Sequence, residues 1–210
     1  MQALIIVDIQ NDFLPGGALA APDGNAVIPV ANAAIRSAKD AGSLVVATRD
    51  FHPADHGSFA SQHADRSVGQ VIQLDGLNQT LWPDHCVQGS EGAEFPEELR
   101  TELIDRVFPK GEDPRVDSYS GFFDNDKRRS TGLGEYLREC GVTSVKILGL
   151  ATDYCVKYSA LDAIAEGFET TLLIDGCRGI DLNPGDVNSA IEEMRAMGVH
   201  ITTSKEIKQC

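Results

Sequence analysis

The chain has 210 residues, of which 42% are hydrophobic and 24% charged, so a single globular domain over residues 1–210 accounts for its length. The formal net charge of −14 and the pI near 4.6 argue against nucleic acid and membrane surfaces, because both require clustered Lys and Arg. The apolar runs are too short to span a bilayer, and no basic leader precedes the first of them. We therefore expect the partner to be a small molecule or another protein, and a homo-oligomer stays open.

Five cysteines occur at irregular spacing and without a CxxC pair: Cys86, Cys140, Cys155, Cys177 and Cys210. An odd, irregular set does not suit a disulfide framework. Free thiols are typical of a reducing compartment, where disulfides are rare. We therefore expect a cytoplasmic protein.

The first predicted strands each end at a carboxylate. Residues 3–7 form an apolar run that ends at Asp8, and residues 44–48 form a second run that leads to Asp50, with a helix predicted over residues 26–41 between them. Open parallel sheets collect their ligand-binding groups at the carboxyl ends of strands. Asp8 is therefore a candidate general acid or base, with a helix or turn cap as the alternative role.

Regular patterning stops between residues 50 and 96, where Gly, Pro, Ser and four of the five histidines are scattered. A structureless stretch of this length in a compact domain is usually either disordered or functional. Asp50 and His52 point the same way on an extended segment, and His85 could complete a two-histidine, one-carboxylate metal site. Such donors suit zinc, iron or manganese. Solvated loop histidines are the alternative.

The next segments lead to a lysine at a strand end. Residues 97–105 predict a short amphipathic helix, and residues 107–108 predict a short strand before Lys110. Lys110 would then share a sheet edge with Asp8, although a surface lysine is the commoner case. The aromatic loop over residues 117–123 could line a flat apolar pocket or could simply pack.

Cys155 lies at a predicted strand-to-helix junction. A short buried strand is predicted over residues 144–148, and apolar residues recur at helical spacing after Cys155. A helix N-terminus favours a thiolate and can hold an oxyanion, so Cys155 is a candidate nucleophile. Thr152 and Asp153 are candidate caps of that helix. A structural core cysteine behind ordinary capping residues is the alternative.

Strands and helices alternate through most of the chain. The second half adds four predicted elements: a helix ending at Cys140, a strand over residues 170–174, a helix over residues 185–197 and a strand over residues 199–202. This alternation predicts an α/β fold with a mainly parallel six-stranded sheet and helices on both faces, a three-layer α/β/α architecture. In that fold Asp8, Lys110 and Cys155 all lie at the carboxyl ends of strands.

Six segments distributed along the chain carry a family resemblance: LIIVDIQNDFLPGGAL, TRDFHPADHGSFAS, WPDHCVQGSEGAEF, KGEDPRVDSYSGFFDN, GLATDYCVKYSALDA and LLIDGCRGI. Over essentially its whole length the chain resembles the isochorismatase-like cysteine hydrolases of the nicotinamidase and pyrazinamidase type. The resemblance implies a Rossmann-like, isochorismatase-type domain with a metal-binding loop insert at about residues 50–96. It also implies deamidation of nicotinamide, and of pyrazinamide, through a cysteine thioester.

The resemblance further implies a set of site residues and one divalent metal ion, which is zinc, iron or manganese. The implied groups are a catalytic triad of Asp8, Lys110 and Cys155, metal ligands Asp50, His52 and His85, a ring pocket of Phe13, Trp82 and Tyr119, and an oxyanion hole of the backbone N–H groups of Ala151 and Cys155. A cis peptide bond is expected between Leu150 and Ala151. Only some relatives use a residue near His56 as an additional ligand, so its role stays open.

Three alternatives to the implied mechanism remain at this point. In the implied mechanism Asp8, near Lys110, takes the thiol proton and Cys155 attacks the carboxamide carbon. Metal-hydroxide hydrolysis, with Cys155 only packing, is the first alternative. A different small amide or vinyl-ether substrate is the second. The third is a non-catalytic metal-binding or ligand-sensing module, which would not need the triad.

Overall fold

The computed structural model describes residues 1–206, and Cys210 lies outside them. The strands are β1 (Gln2–Val7), β2 (Leu44–Asp50), β3 (Val71–Leu74), β4 (Leu77–Thr80), β5 (Arg106–Lys110), β6 (Ser144–Leu150), β7 (Glu169–Arg178) and β8 (His200–Thr202). The α-helices are α1 (Val27–Asp40), α2 (Leu133–Glu139), α3 (Lys157–Ala165) and α4 (Asp186–Ala196). None of these helices combines the length and the apolar character needed to cross a membrane.

Six of the strands form one sheet in the order β5-β2-β1-β6-β7-β8, and every pair in it is parallel. Helix α1 packs against β1, β2, β6 and β7, while α3 packs against β7 and α4 against α3. The predicted α/β fold class with its six-stranded parallel sheet is therefore confirmed. Because the chain runs from β1 to one side of the sheet and later resumes at β6 on the other, the carboxyl ends of β1 and β6 form a topological switch point, where open α/β folds bind ligands.

The central strands are mainly apolar because both faces of a parallel sheet are covered. In β1, residues 3–7 are at most 2% exposed, and Ile147 in the neighbouring β6 is fully buried. Burying one such aliphatic side chain stabilises the fold by about 1.5–3 kcal/mol. The polar residues that follow these strands are consequently carried on rigid supports.

Gly149 allows β6 to approach β1 closely near the switch point. The parallel register pairs Gly149 with Val7. A Cβ added to Gly149 would lie 2.0 Å from the carbonyl oxygen of Val7, and the φ of Gly149 is +134°. Only glycine accommodates both conditions. This contact holds the segment before Cys155 against the end of β1, where Asp8 begins the next loop.

The prediction of a helix over residues 97–105 is wrong, because only a short 3-10 turn, Thr101–Leu103, forms there. Polar groups of this segment also bond to neighbouring elements, which holds it in an irregular path. The side chain of Asn32 in α1 bonds to the carbonyl of Glu98 and to the N–H of Arg100. The carboxylate of Asp105 accepts a hydrogen bond from the N–H of Val45 in β2, at 2.8 Å.

The stretch between residues 50 and 96 contains a regular element that we did not predict. Strands β3 and β4 form an antiparallel hairpin in this stretch. Its turn residues Asp75 and Gly76 both have positive φ, at +47° and +86°. An Asp-Gly pair at this place is a strong signal for a two-residue hairpin. The signal is therefore present in the sequence, between Leu74 and Leu77.

We expect Gly149→Ala to destabilise the protein by more than about 3 kcal/mol, because the new Cβ adds a backbone clash to an unfavourable φ. Urea unfolding followed by circular dichroism measures the loss. Gly141→Ala is the matched control, since its φ is +70° but a Cβ there meets nothing within 4 Å. Equal losses in the two variants would contradict the close approach of β6 to β1.

Candidate active site

Four parallel strands deliver polar side chains to the switch point. Asp8 follows β1, Asp50 ends β2, Lys110 ends β5 and Cys155 lies on the turn after β6. All four are at most 6% exposed. The structure therefore brings the predicted triad residues together, beside the first predicted metal ligand.

Lys110 lies at the centre of this group. Its Nζ is 2.9 Å from Oδ2 of Asp8 and 3.4 Å from Sγ of Cys155. It also donates to the carbonyl of Ser118 at 2.8 Å and contacts the carboxylate of Asp50. Burial alone would lower the pKa of Lys110, but Asp50 and Asp8 outweigh burial and raise that pKa well above its ordinary value. Lys110 is therefore a permanently charged ammonium group.

Asp8 has the properties of a general base. Its carboxylate accepts a hydrogen bond from the hydroxyl of Thr48, at 2.6 Å. Burial raises the pKa of Asp8, and the opposing effect of Lys110 is smaller. A carboxyl oxygen of Asp8 and Sγ of Cys155 lie within 4.8 Å of each other. A more basic carboxylate close to a thiol is suited to accept its proton.

Cys155 lies on a π-helical turn, Thr152–Val156, that leads directly into α3. The carbonyl of Ala151 accepts hydrogen bonds from the N–H groups of Tyr154 and Val156, each at 3.1 Å, and the peptide bond between Leu150 and Ala151 is cis, as expected. Burial raises the pKa of Cys155 well above its ordinary value, and Lys110 only partly offsets this. The resting thiol is therefore protonated, whereas the helix terminus alone had predicted a thiolate. A base is needed to activate it.

The predicted capping role of Thr152 and Asp153 is wrong. Neither side chain caps the turn that carries Cys155. The carboxylate of Asp153 instead accepts hydrogen bonds from the N–H of Ile180 at 3.0 Å and from that of Asp181 at 2.7 Å. These donors belong to the loop between β7 and α4, which is distant in sequence and could not be paired with Asp153 from local patterns.

Asp50, His52 and His85 place their donor atoms within 4.8 Å of one another. Nε2 of His52 is 3.7 Å and Nε2 of His85 is 3.8 Å from Oδ2 of Asp50. Their Nδ1 atoms lie 2.9 Å and 2.8 Å from the carbonyls of Gly111 and Pro83. Because a carbonyl only accepts, both Nδ1 atoms carry a hydrogen, and in the neutral rings both Nε2 atoms therefore present a lone pair to the space beside Asp50.

The charge states of Asp50 and His85 also suit a cation. Burial lowers the pKa of His52, but Asp50 outweighs burial and raises that pKa, so a cation would displace a proton from this ring. Burial raises the pKa of Asp50, but Lys110 and then His52 outweigh burial and lower that pKa far below its usual range. Burial lowers the pKa of His85 to about 4, so this ring is neutral near pH 7. An ionised carboxylate and imidazoles with free lone pairs form a donor set for zinc, iron or manganese.

His56 is oriented differently from His52 and His85. Its Nδ1 accepts a hydrogen bond from the backbone N–H of Ser58 at 3.1 Å and lies 2.7 Å from the Ser58 hydroxyl. An acceptor Nδ1 requires the hydrogen of the neutral ring to be on Nε2. His56 belongs to a second group of potential ligands, together with His52 and Asp117. In this tautomer His56 has no lone pair for a cation, in contrast to the three predicted ligands.

A cavity opens onto Cys155 and onto two of the candidate metal ligands, Asp50 and His85. The cavity is lined by Phe13, Leu19, Asp50, Trp82, His85, Asp117, Tyr119, Ala151, Tyr154, Cys155 and Ile180. All three residues of the predicted ring pocket are among them. Trp82 donates to the hydroxyl of Tyr119 at 3.1 Å and packs edge-on against Tyr154, with ring centroids 4.9 Å apart.

Four lining residues were not identified from the sequence as part of the site: Leu19, Asp117, Tyr154 and Ile180. Tyr154 precedes Cys155 directly, so adjacency to a candidate nucleophile would have found it. Asp117 begins the aromatic loop that was singled out only for its rings. Leu19 and Ile180 are single apolar residues in loops, and no local pattern distinguishes them.

The chain matches the Isochorismatase domain family over residues 2–206. The nicotinamidase of Escherichia coli K12 is 50% identical over 202 residues, which cover 96% of this chain and 94% of that protein. The structure of an Acinetobacter baumanii nicotinamidase and pyrazinamidase matches with a TM-score of 0.93 at 41% identity, covering 98% and 97% of the two chains. The pyrazinamidase of Pyrococcus horikoshii in complex with zinc matches with a TM-score of 0.77 at 41% identity, covering 96% and 98%.

We expect His85→Gln to lower the zinc affinity by at least roughly 100-fold, because it removes one of three donors. His56→Gln should retain one zinc per chain, because glutamine also offers an N–H at its end and an acceptor beside it. Elemental analysis after dialysis against a graded zinc buffer measures both. Loss of zinc from the His56 variant to the same extent as from the His85 variant would contradict the assignment of the tautomers.

Proposed function

This chain belongs to the isochorismatase family, and we propose that it hydrolyses the carboxamide of nicotinamide to nicotinate and ammonia. The observation that carries the proposal is the buried group of Asp8, Lys110 and Cys155, in which Cys155 lines an aromatic cavity beside a two-histidine, one-carboxylate set. The nicotinamidase relative from Escherichia coli supports the substrate. The Acinetobacter baumanii and Pyrococcus horikoshii relatives support pyrazinamide as a second one.

We assign the metal ligands to Asp50, His52 and His85, and we propose zinc because the Pyrococcus horikoshii relative was solved with it. When bound, the cation would act as a Lewis acid that fixes the ring nitrogen of the substrate. The protein holds the two imidazoles in position through the carbonyls of Gly111 and Pro83. The rings that line the cavity, Phe13, Trp82 and Tyr119, enclose the heterocycle and exclude water from it.

The first chemical step is activation of the thiol. Asp8 accepts the proton of Cys155, and the sulfur attacks the carboxamide carbon. Lys110 stays charged throughout, so it stabilises the thiolate as it forms and balances the negative charge of Asp50. The backbone N–H groups of Ala151 and Cys155 hold the oxyanion of the tetrahedral intermediate.

The second step releases ammonia and leaves a thioester. Protonated Asp8 returns its proton to the leaving amine, and the C–N bond breaks. Asp8 then takes a proton from a water molecule whose oxygen attacks the thioester carbon. Breakage of the C–S bond gives nicotinic acid, and the proton on Asp8 returns to the sulfur of Cys155. The acid then releases its own proton to the solvent and leaves as nicotinate. The cycle restores every group.

A catalytic thiol also bears on where the reaction takes place. Cys86, Cys140, Cys155 and Cys177 are free in the described part of the chain. We propose a cytoplasmic location, because a reducing compartment keeps such thiols from forming disulfides or sulfenic acid. The partner in this proposal is the small-molecule substrate.

We expect Cys155→Ala to lose nicotinamide turnover by at least roughly 1,000-fold while keeping its metal, because the scheme has no other nucleophile. Coupled detection of ammonia and elemental analysis measure the two properties. Cys177→Ala is the matched control, since this thiol is buried but bonds to the Leu173 carbonyl and does not line the cavity. A Cys155→Ala protein as active as the wild type would support metal-hydroxide hydrolysis instead.

We expect kcat/KM to fall at acid pH, because protonated Asp8 cannot accept the thiol proton. Burial raises the pKa of Asp8 above 3.8, whereas the hydrogen bond from Thr48 lowers it. Thr48→Val removes that donor, so the acid limb should move to higher pH, and Thr48→Ser should leave it unmoved. Profiles of kcat/KM against pH for the three proteins test this. An unshifted limb in Thr48→Val would show that Asp8 is not the titrating base.

A further inference from the structure

We propose that Ile180 limits the size of the ring that the cavity accepts and that Asp153 is the positioning residue that holds Ile180 in place. This inference rests on the proposed function, because it concerns the substrate of the same site. Among the described residues that follow Cys155 in the chain, Ile180 is the one that lines the cavity. It therefore forms a wall of the cavity that comes from the loop after β7 and not from the turn that carries Cys155.

Asp153 ties this wall to the turn that carries Cys155. Its carboxylate is 5% exposed and uses both oxygens, with Oδ1 3.0 Å from the N–H of Ile180 and Oδ2 2.7 Å from that of Asp181. Within residues 1–206, no lysine or arginine side chain forms an ion pair with Asp153. A buried carboxylate satisfied by two backbone donors of one loop fixes the position of that loop.

The loop is anchored on its other side as well. Oδ1 of Asp181 accepts hydrogen bonds from the N–H groups of Gly185 and Val187, each at 3.1 Å, at the start of α4. A Cβ added to Gly179 would lie 2.2 Å from Val187 and 2.9 Å from the Asp153 carboxylate. The loop is thus closely packed at Gly179 and tied to both Asp153 and α4, which restricts the movement of Ile180 away from the cavity.

The arrangement of the cavity indicates which ring position meets this limit. The ring nitrogen of nicotinamide belongs beside Asp50 and His85, and the carboxamide belongs beside Cys155. Ring carbon 5 is two bonds from the nitrogen and two from the carbon that carries the carboxamide, so it faces neither group and points to the remaining apolar lining. A methyl group on carbon 5 therefore tests whether Ile180 limits the size of the ring. The ligands that fit are six-membered aza-aromatic carboxamides without a substituent at this position.

The test compares ammonia release from nicotinamide and from 5-methylnicotinamide by the wild type, Ile180→Ala and Asp153→Asn. We expect Ile180→Ala to raise the ratio of kcat/KM for the methylated over the parent substrate by about tenfold or more, as one methyl-sized change in a pocket does. In Asp153→Asn, one of the two backbone N–H groups of the loop faces the N–H group of the asparagine amide, so the loop is held less well. The variant should therefore raise the same ratio severalfold, and it should raise KM for nicotinamide more than it lowers kcat.

Leu182→Ala is the matched control, because this residue is in the same loop but is 39% exposed and does not line the cavity. Its ratio should equal that of the wild type. A ratio that is unchanged in Ile180→Ala, in a wild type that hydrolyses nicotinamide, overturns the inference and leaves the proposed function intact. No hydrolysis of nicotinamide by the wild type overturns the proposed function, and this inference with it. If Asp153→Asn does not fold, Ile180→Ala alone decides whether the wall exists.

Discussion

The buried ammonium group of Lys110 is the interaction on which the rest of the site depends. A charge that is 2% exposed is stable only if opposite charges and hydrogen-bond acceptors surround it. Asp8, Asp50 and the Ser118 carbonyl meet this requirement, and Cys155 completes the surroundings. Because Asp8, Asp50, Lys110 and Cys155 lie at or just after the ends of separate parallel strands, the sheet itself supplies most of the arrangement. Without the ammonium group, two buried carboxylates would face each other unpaired.

The same ammonium group lets two neighbouring carboxylates serve different purposes. Asp50 also meets His52 and His85, so its pKa is far below the usual range and it stays ionised for a cation. Asp8 lacks these imidazoles and is fully buried, so its pKa is raised and it can exchange a proton. When the environments of two carboxylates move their pKa values apart, one can exchange protons while the other stays ionised.

The sequence predicted the parts of the site that local pattern encodes. Apolar runs that end in Asp8 and Asp50 predicted strands and their polar ends, and the spacing of Asp50 and His52 indicated a metal site. The tightly held wall at Ile180 could not be predicted, because its partner Asp153 is far away in the chain and a capping role was the natural local interpretation. The cis peptide bond before Ala151 was expected from the family resemblance alone, since no local pattern encodes it.

The most direct test of the account is ammonia release from nicotinamide by the purified, reduced protein, measured before chelation, after chelation and after zinc is added back. The account predicts release that falls when the metal is removed and returns with zinc, because the triad acts on a substrate that the metal orients. The absence of release from zinc-loaded, reduced protein would contradict the central claim. It would leave a binding role, or another small amide, as the function of this site.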